Sequence, residues 1–134
     1  MPKGNVLVVE DDESIRRLLI EYLEQHADLQ VDGARDGVDA LHHVSTRKYA
    51  VVVLDVMMPY MTGIDFLDSL EALTSDPSVR HLDELPAVLV ITGAPPEQIA
   101  AGQLEQRFPA IVRGMFRKPV DAGALVQKIE SLLC

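Results

Sequence analysis

The sequence predicts an α/β protein built on a doubly wound, five-stranded parallel sheet. Three observations carry the prediction. Five short apolar runs recur along the 134 residues, and segments with helical spacing separate them. Three of the runs are continuous and rich in β-branched residues, as strands covered on both faces of a parallel sheet must be.

The elements follow in order. Val6-Leu7-Val8-Val9 is the first buried strand. Behind it Ile15, Leu18, Leu19, Tyr22 and Leu23 make one apolar stripe, with Asp12 supplying negative charge at the helix start. Leu29-Gln30-Val31 alternates apolar and polar residues and reads as a sheet edge. Asp36 is a natural N-cap for a second helix carrying Val38, Leu41 and Val44. Val51-Val52-Val53-Leu54 is again a buried strand, and Phe66, Leu67, Leu70 and Leu73 mark a helix after Gly63. Thr74 to Leu85, with two aspartates, a glutamate and Pro77, reads as a polar surface loop and helix end. Ala87-Val88-Leu89-Val90-Ile91 is the fourth strand. Pro95 to Phe108 has the poorest helical pattern, because Gly102 interrupts it and only Ile99, Leu104 and Phe108 are strongly apolar. Ile111-Val112, broken by Arg113 and Gly114, reads as the second edge. Asp121 caps a last helix with Leu125, Ile129, Leu132 and Leu133.

Composition narrows the function classes. A hydrophobic share of 48% with 25% charged residues describes a globular domain, and the reading is one domain over residues 1–134 with no output domain attached. Lys+Arg 12 against Asp+Glu 21 gives a formal charge of −9, which argues against direct nucleic-acid binding and against anionic membranes. No apolar run approaches the ~20 residues that span a bilayer. The N-terminus lacks a signal peptide's cleavage site, and the single cysteine, Cys134, makes no internal disulfide; the expected location is the cytoplasm.

In a doubly wound sheet, ligands bind beyond the carboxyl ends of the strands, where the winding reverses. Chemically capable residues stand there in this sequence. Glu10, Asp11 and Asp12 follow the first strand, and Asp55 and then Val56-Met57-Met58-Pro59 follow the third. Thr92-Gly93-Ala94 follows the fourth, and Arg117-Lys118-Pro119 ends the fifth. Converging carboxylates repel one another unless a cation intervenes. Mg²⁺ suits one or two carboxylates with waters and a phosphate oxygen. A carboxylate nucleophile, a metal, an ammonium and a hydroxyl together make a set for phosphoryl transfer, which is catalysed by positioning and charge neutralisation.

With these residues in place, the chain resembles the response-regulator receiver domain of two-component signalling, from about Asn5 to Leu133. The resemblance rests on Val8-Val9-Glu10-Asp11-Asp12, Leu54-Asp55-Val56-Met57-Met58-Pro59 with Gly63, Ile91-Thr92-Gly93 and Lys118-Pro119. It implies a flavodoxin-like fold with strand order 2-1-3-4-5. It also implies Asp55 as phosphoacceptor, and Glu10, Asp11, Asp55 and the Met57 carbonyl as Mg²⁺ ligands. Thr92 and Lys118 would contact the phosphoryl group, and Lys118–Pro119 would be a cis peptide. The implied partners are a sensor histidine kinase or a histidine phosphotransfer protein. A downstream target, or a second copy of the chain, would meet the face of the fourth helix, fifth strand and fifth helix. Glu10 stands where aspartate is commoner, and Met115 stands where many members carry an inward-swinging aromatic ring. Met57 and Ala94 flank the implied path of the hydrolytic water with no polar atom, so a long-lived phosphoryl group is expected.

Plainer readings stand beside these. Asp55 alone could be a strand-end turn residue, Thr92-Gly93 an ordinary turn and Lys118 a solvated lysine; only the complete set at successive strand ends favours chemistry. A haloacid-dehalogenase-type phosphohydrolase also uses an aspartyl nucleophile and Mg²⁺, but it needs a carboxylate two residues later, where this chain has Met57. A degenerate receiver acting only as a binding module would not need the full set. His26, His42, His43 and His81 show no ligand pattern and read as surface or packing residues.

Overall fold

The computed structural model describes residues 4–56, 63–73, 86–93 and 103–133. Strands and helices alternate throughout: β1 (Gly4–Val9), α1 (Glu13–His26), β2 (Leu29–Ala34), α2 (Gly37–Thr46), β3 (Val51–Asp55), α3 (Gly63–Leu73), β4 (Ala87–Thr92), α4 (Gln103–Arg107), β5 (Val112–Arg117) and α5 (Ala122–Leu133). All strand pairs are parallel, in the order β2-β1-β3-β4-β5. The two runs that read as edges are the edges. The winding runs outward from β1 to β2 and then returns to place β3 on the other side of β1, so the reversal falls between β1 and β3.

The pleat splits each central strand between two cores. Leu7 and Val9 of β1, Val52 and Leu54 of β3, and Val88 and Val90 of β4 face α2, α3 and α4. Val6 and Val8, Val51 and Val53, and Leu89 and Ile91 face α1 and α5. Burial on both faces explains the unbroken apolar runs, with each fully buried Val or Leu contributing about 1.5–3 kcal/mol.

Asp36 and Asp121 cap the helices the sequence assigns them, and Asp12, read as charge at a helix start, is a cap as well. Asp12 accepts from the Ile15 amide at 3.1 Å, Asp36 from Asp39 at 2.8 Å and Asp121 from Ala124 at 3.1 Å. The stripes, however, overstate what the helices bury. Leu19 and Leu23 are buried on α1, but Leu18 is 66% exposed and Ile15 37%. On α2, Val38 is 57% exposed while Gly37, Ala40 and Val44 carry the contact. The core-facing side of that helix is therefore made of smaller residues than its apolar stripe.

The fifth strand runs well past Ile111-Val112, through Arg117. Its register steps from Val88↔Val112 to Leu89↔Gly114, so Arg113 is the extra residue of a bulge, which is why the run looked broken. Met115 packs partly buried against the α2–α4 core, and Phe116 against the other. Of the Pro95 to Phe108 segment, Gln103–Arg107 is helical and Phe108 is buried; the rest, with Thr74 to Leu85, lies outside the described residues.

Candidate functional site

Each strand of the site is pinned to its neighbour where it leaves the sheet. The Glu10 amide donates to the Ala34 carbonyl at 3.0 Å, Val56 to Ile91 at 3.3 Å and Lys118 to Thr92 at 2.8 Å. These bonds continue the parallel ladders by one step and fix the backbone from which Glu10, Asp55, Thr92 and Lys118 project. The chain returns to the end of β3 at Gly63, whose amide donates to the Val56 carbonyl at 3.1 Å. A Cβ at Gly63 would stand 2.5 Å from Val56 Cα, so only glycine permits this approach. The Lys118–Pro119 peptide is cis, as the resemblance implies.

Four of the side chains singled out in the sequence meet at the carboxyl end of the sheet, at the winding reversal. Lys118 Nζ donates to Asp55 Oδ2 at 3.0 Å and to Glu10 Oε2 at 3.2 Å. Glu10 and Asp55 are almost wholly buried, each 1% exposed. Asp11 is exposed, yet one oxygen from each of Glu10, Asp11 and Asp55 lies within 4.8 Å of the others. Thr92, the fifth residue expected there, is fully buried at the end of β4. Met57, Met58, Pro59 and Ala94 lie outside the described residues, and so does the expectation placed on the Met57 carbonyl.

The electrostatics follow from burial. Desolvation pushes the Glu10 carboxyl up to about 7, helped by its hydrogen bond with Asp55 and by that group's charge, while Lys118 opposes the rise. Burial pulls Lys118 down, but the hydrogen bond and charge of Asp55, and then of Glu10, outweigh it, so the ammonium is held above its ordinary range. When all are ionised, three carboxylates against one ammonium leave a formal excess of two negative charges. A divalent cation balances it. Oxygen donors alone, one of them open to solvent, fit a hard cation that keeps some of its water, which is the behaviour of Mg²⁺.

The histidines take the plainer reading. His26 stacks on Tyr22 with ring centroids 4.0 Å apart, and His43 Nδ1 lies 2.8 Å from the Asp39 carbonyl. Neither they nor His42 joins a metal-capable cluster among the described residues, and His81 lies outside them. Two features escaped the sequence reading. Arg16 on α1 donates to the Glu10 carbonyl at 2.8 Å, and Tyr49 donates to Asp32 at 2.7 Å far from the site. Neither has a local sequence signal.

The chain is similar to known proteins. The family model of the response regulator receiver domain matches residues 6–130. Chemotaxis protein CheY of Pseudomonas aeruginosa is 32% identical over 127 residues, covering 95% of this chain and 94% of its own. Among solved structures, a sensor protein from Polaromonas sp. JS666 superposes with a TM-score of 0.77 at 28% identity, covering 98% of this chain and 97% of that one. Vibrio cholerae chemotaxis protein CheY4 gives 0.73 at 26% identity, with 96% and 98% covered. Strand order, the residues gathered at the winding reversal and a family match over nearly the full length converge on one assignment: the chain belongs to the response regulator receiver domain family.

Proposed function

We propose that this receiver accepts a phosphoryl group on Asp55 from a histidine kinase or histidine phosphotransfer protein, with Mg²⁺ held by Glu10, Asp11 and Asp55. The observation that carries the proposal is Lys118 bridging two buried carboxylates beside an exposed third. A lysine that only closed a salt bridge would need one partner.

The chemistry asked of the chain is modest. Asp55 offers a carboxylate oxygen to phosphorus while the donor's P–N bond breaks and its electron pair returns to the imidazole nitrogen. Bound Mg²⁺ would neutralise charge on the carboxylates and on the equatorial phosphoryl oxygens. Lys118 supplies a fixed positive charge at the same point, and the sheet holds Asp55 so that no reorganisation is needed at the moment of transfer. Thr92, whose carbonyl accepts from the Lys118 amide at 2.8 Å, would donate its hydroxyl to the new phosphoryl group. The added negative charge would draw Thr92 inward and move Lys118 from the Asp55 carboxylate onto the phosphoryl group, which would tug β4 and β5 and alter the face of α4, β5 and α5 where a target protein or a second copy would dock. Such a module is a signalling phosphoacceptor rather than an enzyme with turnover.

Acetyl phosphate with Mg²⁺ tests the assignment by intact-protein mass. One phosphoryl group is expected on the wild type and none on Asp55→Asn or in the presence of a chelator. Undiminished labelling of Asp55→Asn would refute the choice of Asp55. Sustained turnover of p-nitrophenyl phosphate would point to a phosphohydrolase instead.

A further inference from the structure

We propose that Arg16 is a positioning residue for the metal-binding carboxylates, set in place by the absence of a side chain at Gly33. The inference rests on the reading of Glu10 and Asp11 as cation ligands and assigns what orients them.

Glu10 begins the turn from β1 into α1, and its backbone is held from two sides. Its amide is bonded to the Ala34 carbonyl at 3.0 Å. Its carbonyl, which ends the β1 ladder, accepts from Arg16 Nη1 at 2.8 Å. The peptide between these anchors and α1 carries Asp11, and the Asp12 amide turns back to Glu10 Oε1 at 3.3 Å. The Arg16 bond therefore fixes the plane of the peptide that joins the two proposed ligands. Without it the carbonyl would turn to water, and Asp11, exposed and held by little else, would lose its bearing on Asp55.

The guanidinium reaches that carbonyl because its stem lies flat on β2. A Cβ added at Gly33 would come within 2.9 Å of Ile20 Cδ1 and 3.1 Å of Arg16 Cδ, so both side chains occupy the space a larger residue would take. Gly33 pairs directly with Val8, two residues before Glu10, which puts this packing next to the turn it steadies.

Charge and positioning make opposite demands here. Arg16 is a cation beside an acidic cluster, so its charge alone opposes binding of a second cation. Removing it would tighten Mg²⁺ binding if charge were its whole role. Positioning requires the reverse, with a loss on the scale of outer ligand supports, about tenfold or more.

The experiment compares the wild-type chain with Arg16→Met and Gly33→Ala by calorimetric titration of Mg²⁺, with nitrogen-15 relaxation of the metal-free proteins as an independent readout. Arg16→Met is expected to bind about tenfold more weakly. Gly33→Ala, which changes no charge, should shift in the same direction by less. In the metal-free Arg16→Met protein, order parameters at Asp11 and Asp12 should drop below the ~0.85 of rigid backbone while Val8 and Val53 keep theirs. Equal or tighter Mg²⁺ binding by Arg16→Met would overturn the proposal, as would loosening that extends to Val8 and Val53, since that is general destabilisation. Failure of the wild type to bind Mg²⁺ would instead refute the metal reading, leaving the relaxation measurement to decide the role of Arg16.

Discussion

Lys118 donates to Asp55 at 3.0 Å across 63 residues of sequence, and this bond ties the last strand of the sheet to the middle one. The same ammonium serves Glu10 at 3.2 Å, so one cation pairs both buried carboxylates.

Removing that ammonium is therefore costly. Lys118→Met leaves Glu10 and Asp55 facing each other in a buried space. Breaking a buried ion pair by removing one partner costs about 3–5 kcal/mol; the 28% exposure of the Lys118 side chain places the loss toward the lower part of that range. Urea unfolding in a chelator should show the deficit. Millimolar Mg²⁺ should narrow it, since a cation between the carboxylates relieves the same repulsion. A deficit unchanged by Mg²⁺ would contradict the proposed ligand set.

Glu10 gives the metal-free protein a pH dependence of defined sign. Burial, then the hydrogen bond and charge of Asp55, raise its carboxyl from the ordinary 4.5 to about 7. A folded-state value above the unfolded one means its contribution is fully present below the ordinary value and is lost as pH rises through about 7. Relative to Glu10→Gln, which has no proton to lose, the wild type should lose stability between pH 5 and pH 8 in chelator. Parallel pH curves for the two proteins would show that Glu10 ionises freely in the fold.

The contact under Gly63 predicts an asymmetric rescue. Gly63→Ala places a methyl group against Val56 and should cost about 1–3 kcal/mol, the usual range for overpacking. Trimming the neighbour with Val56→Ala removes the contact at 2.7 Å, to Cγ1, but not those at 2.9 Å and 2.5 Å, to the Cβ that alanine keeps and to the backbone Cα. The double variant should stay well below Val56→Ala alone in its urea midpoint. Full recovery would mean that the backbone at this point yields.

Tyr49 offers a control remote from the site. Its hydroxyl donates to Asp32 at 2.7 Å, with Arg47 on the same carboxylate at 3.1 Å. Tyr49→Phe should cost about 1.5–3 kcal/mol at neutral pH, as for a hydrogen bond to a charged group. Burial and the Asp32 bond raise the phenol well above its ordinary 10.0, so its contribution is intact below that value and declines as pH climbs beyond it. Wild type and variant should converge in alkaline urea titrations, with no change in Mg²⁺ affinity.

Legibility in the sequence depended on how local the cause was. β1, β3 and β4 announce themselves because burial on both faces leaves no room for polar residues. β5 does so only in part, because the bulge at Arg113 interrupts its pattern. The stripes of α1 and α2 name Leu18 and Val38, which the fold leaves exposed, and pass over Ala40, because periodicity records hydrophobicity and not the distance between helix and sheet. Glu10, Asp11, Asp55, Thr92 and Lys118 were readable as a set because a parallel sheet delivers every strand end to one side. What no sequence pattern carries is pairing across long separations: the double bond of Lys118, the Arg16 stem on Gly33, Tyr49 on Asp32. The raised Glu10 carboxyl belongs with these, since it follows from burial and from Asp55 rather than from its neighbours in the chain.

The order of the strands also sets the order in which a growing chain acquires its chemistry. Glu10 and Lys118 are 108 residues apart, and β5, which delivers the lysine, joins the sheet at its edge beside β4. Chains are made from the N-terminus, and a domain generally folds as a unit. A nascent chain that has reached α4 already carries Glu10, Asp11 and Asp55, but not the lysine that pairs two of them. Until the last strand docks, Glu10 and Asp55 lack the ammonium that pairs them in the complete sheet. The ion pair that joins the last strand to the middle one thus arrives with the final fifth of the polypeptide.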